Sequence, residues 1–268
     1  MSGPLESPGL TSAGTGGDSV QAADRDTISI WWSDLDVPNG RIEMVFGELS
    51  SDERERADRF VQPIHRNRFV AARAFLRRVM AQHLGLSPAA IRFEYGRNGK
   101  PRLGGNVGNE DIYFNVAHSG NRAVIAVSRR GEVGVDLEQI CPKPNCLDIA
   151  ERFFAEEERQ GLRALDGEER LRAFYRCWTR KEAVVKAVGD GLSIRLDSFN
   201  VSVLPGDSMI SMQQSFRATK DVALIDISPD PCYAATLAIL NPPQPLSRVV
   251  QVRCSQNSNS PLQVIAAE

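Results

Sequence analysis

The chain has 268 residues, 42% of them hydrophobic and 25% charged, a balance that fits a soluble globular protein with one large domain or two ordinary ones. Its net charge of −2 excludes the global basic excess that drives bulk nucleic-acid binding, though a local basic patch stays open. No apolar run approaches the roughly 18 residues that a membrane-crossing helix needs.

The opening MSGPLESPGLTSAGTGGDSVQAADRD has neither a basic start nor an apolar core. It is expected to be a disordered leader, residues 1–26, and no secretory signal. The cysteines Cys141, Cys146, Cys177, Cys232 and Cys254 are odd in number and scattered, which reads as reduced thiols of a cytoplasmic protein. Cys141 and Cys146 form C-x4-C with no second Cys/His pair at finger-like spacing, so no structural zinc site is expected.

Order is expected from Thr27, where TISIWW reads as a strand. In LSSDERERADRF, Ser50 or Ser51 can cap a helix whose first turn carries Asp52 and Glu53. HRNRFVAARAFLRRVMAQHLG is a long helix by the stripe Phe69, Ala72, Leu76, Val79 and Leu84, with Gly85 to end it. RNGKPRL is a turn. IYFNVAHS, AVIAVS and GEVGVDLE read as strands, the last two as a hairpin turning near Arg129, Arg130 and Gly131. Helical stretches follow in LDIAERFFAEEERQGL and GEERLRAFYRCWTRKEAVVKAVG, then strands in FNVSVL, VALIDI and CYAATLAIL.

Helices followed by strands thus occur twice. The order predicts an α+β fold of two similar halves related by a pseudo-twofold, each a long helix on a small, mostly antiparallel sheet. The expected boundaries are 27–134 for the first half and 135–240 for the second. The Pro-, Ser- and Asn-rich residues 241–268 are expected to form a loosely ordered tail.

Chemistry concentrates in two stretches. In GEVGVDLEQI a strand would put Asp136 and Glu138 on one face, and two like charges at ~4 Å repel by roughly 1 kcal/mol in water and roughly 4 in a less polar site. Alone, such a pair reads as the wet end of a strand. In WTRKEAVVKAVGDGLS, a helix would align Trp178, Glu182 and Lys186 on one face, with Gly189 or Gly191 as its stop. Alone, Glu182 and Lys186 read as a surface ion pair. Together, three carboxylates and a lysine can hold a hard divalent cation and an anionic, phosphate-bearing ligand.

At these residues the sequence resembles the 4′-phosphopantetheinyl transferases. VGVDLE, followed by WTRKEAVVKAVGDGLS, matches their signature pair. LSSDERERADRF, NGKPRL and FNVAHSG match the surfactin-type subfamily, in which two similar halves share one chain. The resemblance spans about residues 45–240.

It implies transfer of the 4′-phosphopantetheine arm of coenzyme A to a serine hydroxyl of an apo acyl or peptidyl carrier protein, with release of 3′,5′-ADP. The setting would be fatty acid, polyketide or nonribosomal peptide biosynthesis. The resemblance implies Mg²⁺, with Mn²⁺ also suited, held by Asp136, Glu138 and Glu182. Lys186, and less directly Lys181, would hold the pyrophosphate. Glu158 would be the general base, with Glu157 or a metal-bound water as alternatives. His118 would contact the 3′-phosphate, joined by Arg56 and more weakly by Arg68 and Arg73. Lys100 and Pro101 would line the adenine pocket, and Ser119 would join the coenzyme A contacts. Ala117 stands where the family commonly has serine, which removes a hydroxyl near the nucleotide. The implied partners are coenzyme A and a carrier protein, with no nucleic acid, no membrane and a monomeric enzyme.

Two other readings compete: a metal-dependent phosphohydrolase or nuclease, and a non-catalytic carrier-binding protein. The nucleotide-facing motifs disfavour the first. The retained carboxylates and Lys186 disfavour the second.

Overall fold

The computed structural model describes residues 27–96, 99–105, 111–142, 145–189, 194–206, 208–214, 218–242, 248–255 and 263–267. The leader, Arg97 and Asn98 of the RNGKPRL turn, part of CPKPNC and the second helix stop Gly191 lie outside them.

The first half begins with β1 (Thr27–Asp34), then α1 (Asn39–Phe46), α2 (Ser51–Asp58) and α3 (Pro63–Leu84). A small hairpin, β2 (Phe93–Tyr95) and β3 (Pro101–Leu103), precedes β4 (Tyr113–Ser119) and β5 (Arg122–Ser128). The second half repeats the order: β6 (Val133–Gln139), α4 (Cys146–Phe153), α5 (Glu156–Arg163) and α6 (Gly167–Val188), then β7 (Ser208–Gln214), β8 (Ala218–Asp226) and β9 (Tyr233–Leu240). The pairing repeats too. In each half the first strand runs antiparallel to the last, β1 to β5 and β6 to β9, and the last pairs with the strand before it. This is the α+β architecture of two similar halves that the sequence predicts.

Local chemistry explains the helix ends. Ser50 caps α2 while Glu53, three residues on, accepts the Ser50 N–H at 3.0 Å. The long helices α3 and α6 both stop at a glycine with positive φ, Gly85 (66°) and Gly189 (81°).

Each half also carries the same buried clasp. Glu53 of α2 bonds Arg77 of α3 at 2.6 Å, and Glu158 of α5 bonds Lys181 of α6 at 2.7 Å. Arg77 and Lys181 each stand fourteen residues after the first residue of their helix, Pro63 and Gly167.

Three cores result. One lies between α3 and the first sheet, one between α6 and the second, and a third where the two sheets pack face to face. Strand β6 serves two of them by alternation. Val133, Val135 and Leu137 enter the inter-sheet core with Ile28, Ile30 and Val124, while Gly134 and Asp136 meet α6.

Three elements differ from the sequence expectations. GEVGVDLE does not form a hairpin with AVIAVS, because β6 joins the second sheet beside β9. FNVSVL is not a strand. Its backbone groups are taken by side chains: the Val201 N–H by Glu158, the Ser202 and Leu204 carbonyls by Arg180, and the Val203 carbonyl by Arg176. The tail contributes β10 (Arg248–Ser255) parallel to β1, and β11 (Gln263–Ala267) beyond it. Burying Val252 and Cys254 in the first core, and the 3.0 Å bond from the Trp32 indole N–H to Gln251, give that segment reason to stay.

Candidate active site

The site forms where β6 of the second half meets β4 of the first, under the C-terminal turns of α6. Gly134 decides how close α6 comes. A Cβ there would lie 2.0 Å from the Ala183 carbonyl oxygen and 2.4 Å from the Ala187 nitrogen. Only glycine lets the helix backbone touch the strand, which brings Glu182 and Lys186 down toward the strand carboxylates.

Asp136 is buried, at 6% exposure. Burial pushes its carboxyl up to about 6, Glu138 and Glu182 add to the rise, and Lys186 opposes it. Lys186 Nζ donates to Asp136 Oδ1 at 2.6 Å and to the Val135 carbonyl at 3.2 Å. Asp136 Oδ2 is buried with no hydrogen-bond partner among the described residues. Glu182 is half-buried, and its carboxyl is also raised, first by burial and then by Glu138, against Lys186.

Glu138 accepts a 2.9 Å hydrogen bond from the Ser119 hydroxyl, which crosses from the first half. Among the described residues, no three His, Cys, Asp or Glu side chains converge as a ready-made metal centre. The donor set still fits a hard cation: three carboxylates within each other's fields and one orphaned buried oxygen.

His118 stands at the end of β4, open to solvent. Desolvation by the surrounding protein lowers its pKa first, then the positive charges of Lys186 and Arg56, against Glu138. Arg56 of α2 therefore shares a field with His118 and Lys186, and its guanidinium lies over the Phe69 ring at 5.2 Å. Lys100 donates to the Lys186 carbonyl at 2.9 Å and to Glu132 at 3.1 Å, so the turn before β3 clasps the last turn of α6. Pro101 follows as the first residue of β3.

Other expected residues stand apart. Arg68 makes a bidentate pair with Asp36, at 2.7 and 3.0 Å, on the Asn121 and Tyr233 side. Arg73 is committed to Glu53 and the Tyr95 hydroxyl. Ala117 points into the core between the sheets. Lys181 is fully buried, donating to the Leu196 and Phe199 carbonyls at 2.7 Å and pairing with Glu158. Glu158, 2% exposed, also accepts the Ala155 N–H at 2.8 Å and the Val201 N–H at 2.7 Å. Every acceptor direction of this carboxylate faces protein, an arrangement that the sequence alone gave no sign of.

Sequence reasoning also missed the contacts between the halves. The Tyr233 hydroxyl donates to Asn121 at 2.7 Å, and Arg122 pairs with Asp230 at 2.5 Å and lies over the Tyr233 ring. No spacing signals these contacts, because each joins residues more than 100 positions apart.

The matches to known proteins span both halves. A family model described as the 4′-phosphopantetheinyl transferase superfamily matches residues 132–238, and one for the N-terminal part of 4′-phosphopantetheinyl transferase matches residues 39–130. The two meet between β5 and β6. The chain is similar to the 4′-phosphopantetheinyl transferase HetI of Nostoc sp., 35% identical over 214 residues, covering 80% of this chain and 88% of the relative. It is 34% identical over 194 residues to the 4′-phosphopantetheinyl transferase Sfp of Bacillus subtilis, covering 71% and 77%. It is also 34% identical over 168 residues to the 4′-phosphopantetheinyl transferase AcpT of Salmonella typhimurium, covering 63% and 80%.

Proposed function

Because the chain belongs to the 4′-phosphopantetheinyl transferase family, enzymes that transfer phosphopantetheine to carrier proteins, we propose that the seam where β4 and β6 meet binds coenzyme A and modifies a carrier serine there. The observation that carries this reading is the shared face of Asp136 and Glu138 beneath Glu182 and Lys186. It gathers the charges that a pyrophosphate needs at the seam of the two halves.

In the reaction, the carrier serine oxygen attacks the phosphorus that bears the pantetheine arm. A new P–O bond forms, the bond to the bridging oxygen breaks, and 3′,5′-ADP departs with the electron pair. Such transfers depend mainly on positioning and charge neutralisation.

Asp136, Glu138 and Glu182 would hold a divalent cation, Mg²⁺ or Mn²⁺. When bound, it offsets pyrophosphate charge and the mutual repulsion of the carboxylates. Lys186 would exchange its bond to Asp136 for one to a pyrophosphate oxygen and stabilise the departing charge. His118 and Arg56 would receive the 3′-phosphate, whose negative charge would favour the proton that desolvation, and then Lys186 and Arg56, discourage on His118. Lys100 and Pro101 border the same end of α6 and suit the adenine side.

Glu158 is not assigned the serine proton, since Lys181 and two backbone N–H groups enclose it. Asp136, Glu138 and Glu182 are taken up by the cation, so the side-chain alternative is the exposed neighbour Glu157. Lys181 is likewise assigned a packing role and not a pyrophosphate contact.

The test is direct. Incubating the protein with coenzyme A, Mg²⁺ and an apo carrier protein should raise the carrier's mass by one phosphopantetheine, and Asp136→Ala should abolish the gain. No gain across several unrelated carriers would refute the reading. Hydrolysis of DNA or simple phosphoesters in its place would favour the hydrolase.

A further inference from the structure

Two sheet edges meet between the halves without pairing. β4 is the last strand of the first sheet, and β6 is the first of the second. An edge strand leaves N–H groups that need partners. Along β6, two of these are met by side chains of β4. The Val135 N–H donates to Asn115 Oδ1 at 3.0 Å, and the Gln139 N–H donates to Ser119 Oγ at 3.0 Å. Asn115 and Ser119 are four residues apart on one strand, as Val135 and Gln139 are on the other. The two strands therefore run in register and in the same direction. A side chain's length separates them where a backbone ladder would close the gap.

The Ser119 hydroxyl has one proton to give. Its oxygen already accepts from Gln139, and its proton goes to Glu138 Oε2 at 2.9 Å. One hydroxyl is thus fixed by the backbone next to Glu138 and in turn fixes the carboxylate. We propose that Ser119 is a positioning residue. Anchored by the Gln139 N–H, it holds the Glu138 carboxylate in the orientation that receives the divalent cation, and Asn115 sets the register that lets it reach. This inference rests on the reading of Asp136, Glu138 and Glu182 as the cation site. It gives Ser119 a role toward the cation in place of the coenzyme A contact that the family resemblance implied.

The experiment uses Mn²⁺ as the probe, with its binding to the full-length protein measured by electron paramagnetic resonance. Coenzyme A binding is measured separately by calorimetry in a chelator. Removing a group that orients a metal ligand typically weakens the metal by 10–100-fold, so Ser119→Ala should weaken Mn²⁺ by roughly tenfold. Coenzyme A affinity in the chelator should be unchanged, and Ser119→Thr, which keeps the hydroxyl, should recover most of the Mn²⁺ affinity. Ser119→Ala that binds Mn²⁺ normally but loses coenzyme A would overturn the proposal and return the hydroxyl to the nucleotide. Asp136→Ala separates the two layers of the argument. If it loses Mn²⁺ while Ser119→Ala does not, the positioning role alone fails. If neither variant affects Mn²⁺, the cation site fails and the inference fails with it.

Discussion

Glu158→Gln is the most discriminating substitution in this protein, because the two available roles for Glu158 predict opposite outcomes. The carboxylate is 2% exposed, and Lys181, its partner at 2.7 Å, is 0% exposed. Gln keeps the shape and one acceptor, but it leaves the Lys181 ammonium buried with only the Leu196 and Phe199 carbonyls. It also aims an amide N–H toward a group that is itself a donor. Removing one partner of a buried ion pair costs about 3–5 kcal/mol, and the isosteric change belongs at about 3. For a chain of this size, each kcal/mol moves the melting temperature by roughly 2–4 °C, so the midpoint should fall by about 10 °C.

The transferase rate at 20 °C, where the variant remains folded, should stay within a few-fold of the parent, and its pH profile should keep the same shape. A general base contributes about 10²–10⁴-fold. A hundredfold loss of turnover at an unchanged midpoint would therefore refute the clasp and restore Glu158 as the base. Glu53→Gln offers the matching control in the first half. There the carboxylate bonds Arg73 and Arg77, and the same loss of stability is expected.

Other outcomes follow from the same geometry. Gly134→Ala should lift α6 off β6 and cut turnover severely, with a destabilisation of about 1–3 kcal/mol read by denaturant titration. A variant with full activity would mean that the helix tolerates the shift. Deleting residues from 242 onward removes β10, bares one edge of β1, and should lower the melting temperature and promote aggregation. An unchanged midpoint would show that the parallel pairing adds nothing.

His83, packed edge-on against Trp31, is held down to about 4 by burial and then by Arg129, against an ordinary 6.5. A depressed histidine is neutral in the fold, so its contribution is intact above pH 6.5 and is lost as pH falls toward 4, by about 2 kcal/mol at pH 5. His83→Gln should flatten that part of the stability profile in urea titrations between pH 7 and 5. Equal slopes in the two proteins would rule the histidine out.

The sequence by itself determined the periodicities, and through them the site's raw materials. Alternation along VGVDLE puts Asp136 and Glu138 on one face and sends Val135 and Leu137 to the other, and a strand has no other way to arrange them. The fourfold spacing of Trp178, Glu182 and Lys186 aligns them on a helix, and Gly85 and Gly189 end the long helices where their missing side chains permit positive φ.

What lies opposite each face was decided only by tertiary structure, because local spacing carries no information about a partner 50 or 100 residues away. Val133–Gln139 has the look of a hairpin partner for Arg122–Ser128, yet it pairs with Tyr233–Leu240 and leaves β4 to reach it through Asn115 and Ser119. FNVSVL has strand composition, but helix side chains satisfy its backbone before any strand can. Glu158 lies in a run of three glutamates, and only packing selects it for burial against Lys181. The carboxylate pair at 136 and 138 was legible as an electrostatic problem. Its resolution, a lysine at 2.6 Å from one carboxylate and a serine hydroxyl at 2.9 Å from the other, depends on two halves folding against each other.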